Sequence, residues 1–441
     1  MKIYTYPSRD AEKRLAAIVN RGSSFKKKDV AAVSRILEDV RRNGDGALIN
    51  YVNRFDAPGL KAEALAVTEA EFREAARRVD AGFRRALNRA VAQVEAFHRL
   101  QQPKSWINTD RPGTLVGQVV NPVQAAGIYV PGGRGGTTPL VSSVLMGAIP
   151  ARIAGVNRVV MATPPTRDGH INPHLLVAAR RVGVDEIYKI GSAWAIAALT
   201  YGTETISKVD VIVGPGNLYV TLAKKIVAGT VGIDMVAGPS EILIIADRLS
   251  EPRFIAADLL SQAEHDALAS AILITDDRRI ATEVVEALQP QLAALARREI
   301  AEASLACYGA IVVVPDLDAA VDLANRIAPE HLELHLAEPF DLLGRIRNAG
   351  AVFLGAYTPE PVGDYVAGPN HVLPTAGTAR FASALSVGHF VKKTSIVHYS
   401  EAAFRKEAAD IMRLATTEGL TAHAAAVGIR LAVPKMNKSS K

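Results

Sequence analysis

The chain has 441 residues, of which 49% are hydrophobic and 22% charged, with a formal net charge of +6. This balance is typical of a globular protein with a large core, and the length suggests two to four domains. Basic residues are scattered, apart from residues 26–28 and the tail 435–441. The charge therefore lacks the basic stripe of a nucleic-acid-binding surface.

Cysteine content and terminal sequence predict the compartment. Cys307 is the single cysteine, so no disulfide forms within the chain and a reducing cytoplasm fits. It precedes an apolar strand, where we expect a buried structural thiol. The first residues have no apolar core of a signal peptide, and no apolar run approaches the ~18 residues that span a bilayer. We expect a cytoplasmic protein without a membrane partner.

The first third of the chain changes pattern twice. Residues 28–102 have apolar positions three and four apart, which predicts an arm of helices, and residues 106–130 read as a β-hairpin. A strand from Gly127 to Val130 then runs into the glycine-rich residues 131–136. A helix opened by Thr137, Thr138 and Pro139 should follow. Backbone N–H groups there can approach an anion, with a tight turn as the equal alternative.

From residue 156 to 354 short buried strands alternate with helices. This pattern predicts parallel sheets with helices on both faces, and the strand count exceeds one unit. We expect an α/β fold of two doubly wound Rossmann-like units without the GxGxxG fingerprint. The predicted divisions are a helical arm and hairpin (1–126), two α/β units (127–238 and 239–378) and a C-terminal helical extension (379–441).

Candidate metal ligands begin in residues 255–266, which have the apolar spacing of an amphipathic helix. Gln262 and His265 lie three apart and should be neighbours on one face. Imidazole is a common zinc ligand, and Asp364, His371 and His423 follow downstream. A helix cap or a hydrogen-bonded core histidine is the alternative for His265.

Glu330 and His331 form a candidate acid–base pair in a loop after Pro329. The alternative is a surface carboxylate beside a half-buried imidazole. The turns 214–217 and 238–241 adjoin strand ends, where doubly wound sheets bind ligands beyond the carboxyl ends. Each could instead be a turn with a polar cap. The Gly- and Pro-rich residues 357–394 form a long loop region of the kind that carries function.

Seven ordered motifs together resemble the histidinol dehydrogenase family, whose enzymes complete histidine biosynthesis. They are GIYVPGG at Gly127, VGPGN at Val213, GIDMVAGPSEIL at Gly232, DLLSQAEHD at Asp258, APEHLEL at Ala328, VGDYVAGPNHVLPT at Val362 and EGLTAHAAAV at Glu418. The resemblance covers residues 36–431 and implies oxidation of L-histidinol to L-histidine through L-histidinaldehyde, with NAD as the oxidant.

The resemblance also implies roles for individual residues. The implied zinc ligands, for one Zn²⁺ per subunit, are Gln262, His265, Asp364 and His423, and the catalytic pair is Glu330 and His331. Substrate contacts would add Ser240 and Glu418 to the ligands and His331, with Glu360 and His371 near the substrate. Dinucleotide contacts would fall on Tyr129 and Asn217. The family forms a homodimer in which the C-terminal segment crosses into the partner's site.

One departure concerns the cofactor site. Where the family reads Gly-Gly-Ala-Gln, this chain has Gly191, Ser192, Ala193 and Trp194. The indole N–H of Trp194 cannot accept a hydrogen bond; the ring could stack on the cofactor or pack in its helix. Two other functions stay open: oxidation of another small polar alcohol, and non-catalytic binding by a decayed enzyme.

Overall fold

The structure is a computed structural model that describes residues 1–21, 25–133 and 137–432. It divides into two compact units, residues 1–102 with 123–390, and residues 103–122 with 391–441. Residues 134–136 of the predicted anion-binding loop and the basic tail 435–441 lie outside the described residues.

The strands are β1 (Ile3–Thr5), β2 (Trp106–Asn108), β3 (Thr114–Pro122), β4 (Ala125–Tyr129), β5 (Arg158–Thr163), β6 (Glu186–Lys189), β7 (Val211–Val213), β8 (Gly232–Ile233), β9 (Glu241–Ala246), β10 (Ser270–Thr275), β11 (Gly309–Val313), β12 (His331–His335), β13 (Ala351–Leu354) and β14 (Val391–Tyr399). The helices are α1 (Arg9–Val19), α2 (Lys27–Tyr51), α3 (Glu69–Arg78), α4 (Ala81–Arg99), α5 (Val141–Ala154), α6 (Pro173–Arg181), α7 (Ser192–Tyr201), α8 (Leu218–Val227), α9 (Pro252–Ala263), α10 (Arg278–Ala294), α11 (Arg298–Tyr308), α12 (Leu317–Ile327), α13 (Phe340–Leu343), α14 (Glu360–Tyr365), α15 (Glu401–Thr417) and α16 (Thr421–Ala432).

Two parallel sheets organise the larger unit. Their strand orders are β6-β5-β4-β7-β8 and β1-β11-β10-β9-β12-β13. If strands are counted from β4 and from β9, both sheets read 3-2-1-4-5, with β1 added at the edge of the second. This repeated order confirms the predicted fold class of two doubly wound units, and in each the order reverses between strands 1 and 4. The short edge strand β1 was not predicted from the sequence.

The helical arm packs on the first sheet's helices. Val33, Leu37 and Val40 of α2 share a buried cluster with Ile196 and Leu199 of α7. Because α7 is apolar all round, it must be covered on both sides. The arm supplies that second layer.

The smaller unit contains a three-stranded antiparallel sheet, β14-β3-β2. The pairing of β2 with β3 confirms the predicted hairpin, while β14 runs along β3 from Val391↔Pro122 to Tyr399↔Thr114. The C-terminal residues therefore complete a sheet that the hairpin begins, and α15 and α16 follow.

Two local predictions were wrong. Helix α5 begins at Val141 rather than at Thr137, with Pro139 just before it. Cys307 is exposed rather than buried, because α11 turns Ser304 and Leu305 inward instead. None of the helices in the described parts of the chain is long and apolar enough to cross a membrane.

Candidate active site

The predicted acid–base pair lies at the amino ends of two adjacent strands. His331 begins β12, which runs parallel to β9 with His331 opposite Ile242. Glu330 therefore adjoins Glu241, the first residue of β9. These two strands flank the order reversal of the second sheet. The pair lies at the amino ends of the strands, whereas the sequence led us to expect ligands at the carboxyl ends.

Glu330 and Glu241 lock the two strands together. The backbone N–H of Glu241 donates to Oε2 of Glu330 (2.8 Å), and the backbone N–H of Glu330 donates to Oε2 of Glu241 (3.2 Å). A buried ion pair from Arg21 to Glu241 (3.1 Å) balances one of the charges. Oε1 of Glu330 accepts no hydrogen bond from any residue the structure describes, so it remains open to a ligand or a proton.

His331 has a defined tautomer. Its Nδ1 lies 2.9 Å from the carbonyl oxygen of Glu241, a partner that can only accept, so Nδ1 carries the hydrogen. The lone pair is then on Nε2, which lies 4.0 Å from Oε1 of Glu360. Burial lowers the pKa of His331 to about 4. The ring is thus a neutral proton acceptor at neutral pH.

The carboxyl groups around this imidazole are shifted in the opposite sense. Burial raises the pKa of Glu330 well above its ordinary value, and the charges of Glu241, Asp364 and Glu360 add to the shift. Burial, followed by the charge of Asp364, raises the pKa of Glu360 to about 9. His331, Glu360 and Asp364 bring their nitrogen and oxygen atoms within 4.8 Å of one another. A base and acids are therefore concentrated at one point, as catalytic sites require.

The side-chain amide of Gln262 is the clearest sign of a ligand-binding position. It lies in the last turn of α9, is fully buried, and neither its amide oxygen nor its amide nitrogen has a partner in the described structure. Burying such atoms unpaired costs roughly 1–3 kcal/mol each, so they mark a place where something else binds. Nε2 of His371 is also buried and unpaired.

His265 lies in the turn after α9, not on the helix as the sequence analysis expected. Part of the residue is open to solvent, yet the protein atoms around its ring lower its pKa by desolvation. Asp364 and His371 are its electrostatic neighbours. Asp364, His265 and His371 are also the electrostatic neighbours of His331, and Gln262 precedes His265 by three residues.

Of the other predicted substrate residues, Ser240 adjoins Glu241 of the site, whereas Glu418 and His423 belong to the other unit. Ser240 precedes β9, and its carbonyl accepts hydrogen bonds from Ser270 N (3.0 Å) and from Arg21 (3.2 Å). Glu418 and His423 belong to the smaller unit, and both are exposed: Glu418 is the C-cap residue after α15, and His423 is in the first turn of α16.

Two of the predicted cofactor residues, Tyr129 and Asn217, lie at or after the carboxyl ends of β4 and β7, the two strands at the order reversal of the first sheet. Tyr129 ends β4 and Gly214 follows β7; a Cβ on Gly214 would lie 2.1 Å from the carbonyl oxygen of Tyr129. Only glycine fits that approach. Asn217 caps α8 by accepting from Tyr219 N (3.0 Å) and Val220 N (3.1 Å), and its exposed side chain retains the amide donors. This crevice is where doubly wound folds bind nucleotides.

Trp194 does not fit the expectation of a cofactor platform. Its indole stacks on the ring of Tyr51 (centroids 5.6 Å apart) and also on the ring of Phe55 (centroids 5.5 Å apart). Its Nε1–H donates to Oδ2 of Asp56 (3.1 Å), and the side chain is 5% exposed. The ring therefore joins the helical arm to α7, which is the packing alternative.

Sequence reasoning missed Arg21 and gave no role to the backbone of Glu241. Glu241 lies inside the GPSE motif, but its carbonyl acts on a histidine 90 positions away. No local pattern marks Arg21, since an arginine after a helix is ordinary surface composition.

The protein has a doubly wound α/β fold, and a buried neutral imidazole lies beside carboxyl groups at the amino ends of two adjacent strands. This combination defines an enzyme with acid–base chemistry. The family model for histidinol dehydrogenase matches residues 19–431. Histidinol dehydrogenase from Desulfotalea psychrophila is 54% identical over 96% of this chain and 98% of its own length. The relative from Geobacter metallireducens is 52% identical over 98% of both chains. The crystal structure of histidinol dehydrogenase from Elizabethkingia anophelis matches with a TM-score of 0.91 at 38% identity, covering 98% of both chains. This chain belongs to the histidinol dehydrogenase family, and it is an oxidoreductase of histidine biosynthesis.

Proposed function

We propose that this enzyme oxidises L-histidinol to L-histidine through L-histidinaldehyde, using NAD and one zinc ion per subunit. The observation that carries the proposal is the tautomer of His331, which presents a basic Nε2 among Glu330, Glu360 and Asp364. Family membership supports the choice of substrate.

Gln262, His265, Asp364 and His423 would hold the metal. The unpaired amide of the buried Gln262 supports this assignment, and oxygen and imidazole donors suit zinc. When bound, zinc supplies a positive template for the amine and imidazole of the substrate, and NAD supplies the acceptor for the hydride in each oxidation.

His331 is the proposed base in both oxidations. The alcohol must lose its hydroxyl proton as the hydride departs, and a neutral imidazole can accept it. Donation from Nδ1 to the carbonyl of Glu241 holds the ring in one orientation, because rotation would break that bond.

Glu330 is the proposed activator of water in the second oxidation. The aldehyde must be hydrated before it can lose a second hydride. A carboxylate whose pKa is raised by burial accepts a proton more strongly than an ordinary one. Its hydrogen bond from Glu241 N fixes Oε2 and leaves Oε1 for that proton.

Ser240 and Glu418 are the proposed further contacts of the substrate, in addition to the metal ligands and His331. Tyr129 and Asn217 are the proposed dinucleotide residues, and the position of both at the order reversal of the first sheet supports this. We do not include Trp194 in that set, because its indole stacks on Tyr51 and Phe55.

We also propose a cytoplasmic homodimer in which the C-terminal segment brings Glu418 and His423 to the partner's site. The exposure of both residues is compatible with contacts made outside their own unit.

The test is NADH formation with L-histidinol, before and after treatment with a chelator, and with L-phenylalaninol as an amino alcohol that lacks the imidazole. We expect NADH to form with L-histidinol and not with L-phenylalaninol, and we expect the chelator to prevent its formation. Equal turnover of both alcohols would contradict the substrate, and full activity of metal-free protein would contradict the metal. His265→Ala protein should retain less zinc by elemental analysis, since it loses one ligand.

A further inference from the structure

A stripe of polar side chains extends inward from the proposed active site. Side chains alternate along a strand, so His331, Glu333 and His335 share one face of β12. Leu332 and Leu334 occupy the opposite face, in an apolar cluster. Catalysis accounts for His331 at the outer end, but the proposed function assigns nothing to Glu333 and His335.

Helix α9 faces the inner end of this stripe. Asp258 lies one turn before Gln262 on α9, and its Oδ2 is 3.1 Å from Nε2 of His335. Nε2 of His335 is also 3.8 Å from Oε2 of Glu333. Asp258, Glu333 and His335 are 7%, 1% and 2% exposed, so water contributes little to their solvation. We call these three residues the inner cluster.

The inner cluster also contacts the helix that carries Asp364. Oε1 of Glu333 accepts a hydrogen bond of 2.8 Å from the backbone N–H of Glu360. Glu360 is the first residue of α14, and Asp364 lies four residues further along the same helix. The inner cluster thus joins α9, which carries Gln262, to α14, which carries Asp364.

A metal ion is a poor occupant for the inner cluster, although its ligand atoms lie within 4.8 Å of one another. A histidine that binds metal through Nε2 carries its hydrogen on Nδ1 and almost always donates it. Nδ1 of His335 is buried and has no partner in the described chain. The hydrogen therefore belongs on Nε2, where Asp258 accepts it, and Nδ1 keeps only a lone pair.

The surroundings of Glu333 favour one protonation state. Its Oε2 is buried and receives no hydrogen bond from the described residues, while a carboxylate, Asp258, is its neighbour. A buried carboxylate oxygen without a donor is costly, but a protonated Oε2 can donate to Asp258. Burial and the charge of Asp258 raise the pKa of Glu333 in agreement with this state.

We propose that Glu333 is a positioning residue: as a neutral carboxylic acid it donates to Asp258 and holds the start of α14, so that Asp364 stands opposite Gln262 and His265. This inference rests on the proposed metal site. In this role Glu333 acts through two hydrogen bonds and carries no charge.

Glu333→Gln tests directly whether the two hydrogen bonds are sufficient without a charge. The amide oxygen can accept from Glu360 N and the amide N–H can donate to Asp258, so the variant reproduces both bonds. Glu333→Ala removes both. Leu334→Ala is the matched control, because it opens a cavity on the same strand but on the opposite face. Each protein is measured for zinc affinity by competition with a chromogenic chelator, and for melting temperature.

We expect Glu333→Gln to bind zinc within about threefold of the unmodified protein. Glu333→Ala should bind it roughly 10- to 100-fold more weakly, the usual effect of removing a group that orients metal ligands. Leu334→Ala should melt earlier with zinc affinity unchanged. Infrared difference spectra should show a protonated carboxylic acid in the unmodified protein that Glu333→Gln lacks.

Loss of zinc in Glu333→Gln, or an infrared difference typical of a carboxylate, would overturn the proposal and make Glu333 a charged group. Equal zinc affinity in Glu333→Ala would show that it positions nothing. If Glu333→Ala fails to fold, the Gln variant and its spectrum still decide. Failure of the metal site itself looks different: His265→Ala would then bind zinc as well as the unmodified protein.

Discussion

Glu330→Gln separates the two oxidations that the proposed mechanism combines. The substitution keeps the size of the side chain, and the Gln oxygen can accept the hydrogen bond from Glu241 N that Oε2 accepts now (2.8 Å). The two strands should therefore stay in register and the substrate site should keep its shape. What disappears is the ability to accept a proton.

The magnitude follows from the chemistry of each half-reaction. A positioned acid–base group contributes roughly 10²–10⁴-fold, which corresponds to about 2.7–5.5 kcal/mol of barrier. Only the second oxidation needs an activated water. We expect the oxidation of histidinaldehyde to slow by this factor and the oxidation of histidinol to slow by less than about threefold.

The assay is single-turnover NADH formation from each substrate, with zinc content and melting temperature as controls for folding. His331→Asn is the comparison variant. Its amide N–H can replace the donor to the carbonyl of Glu241, but it has no proton acceptor in place of Nε2. Both half-reactions should slow in that variant. If Glu330→Gln slows both half-reactions equally, Glu330 and His331 act as one unit and the water-activating role is refuted.

Three further outcomes are expected. In mixed dimers of one His265→Ala chain and one His423→Ala chain, about one site in two should be restored, because a mixed dimer assembles one intact set of ligands if the C-terminal segments cross; no recovery would place His423 in its own subunit's site. Burial raises the pKa of Asp56 to about 6 from 3.8, so the folded state holds its proton more tightly and the free energy of unfolding falls as pH rises between about 4 and 6. In denaturant titrations Asp56→Asn should therefore gain up to about 3 kcal/mol over the unmodified protein at pH 7 and nothing below pH 4. An equal gain at both pH values would contradict this. Trp194→Ala should cost about 3–5 kcal/mol of stability, as for other buried tryptophans, and leave NAD affinity within about threefold, whereas a large loss of NAD affinity at unchanged stability would return the indole to the cofactor.

Local pattern was sufficient for the buried elements of the larger unit, although not for its short edge strand β1. The apolar runs predicted its buried parallel strands, because a strand covered on both faces needs apolar side chains at every position. Helix periodicity predicted the arm and α9. The chain resembles its family through short motifs that can be recognised from the sequence alone, and the expected family followed from these motifs.

The ends of helices and the directions of individual side chains were harder to predict from the sequence. His265 was predicted on a helix that ends before it, since propensity changes little between the last turn and the residues just beyond. Cys307 was predicted inside, because adjacency to an apolar strand does not reveal which face of α11 it occupies.

The sequence by itself determined which side chains are available for chemistry: Gln262, Glu330, His331 and Asp364 are all in motifs that can be read without coordinates. The tertiary structure decided how each one behaves. The tautomer of His331 depends on a carbonyl 90 positions away, and the packing of Trp194 depends on rings 139 and 143 positions away. The pKa of Glu333 is raised by burial and by the charge of Asp258, 75 positions earlier. Hydrogen-bond partners and desolvation arise where parallel strands and covering helices meet, and strand order and register are properties of the whole chain rather than of any segment.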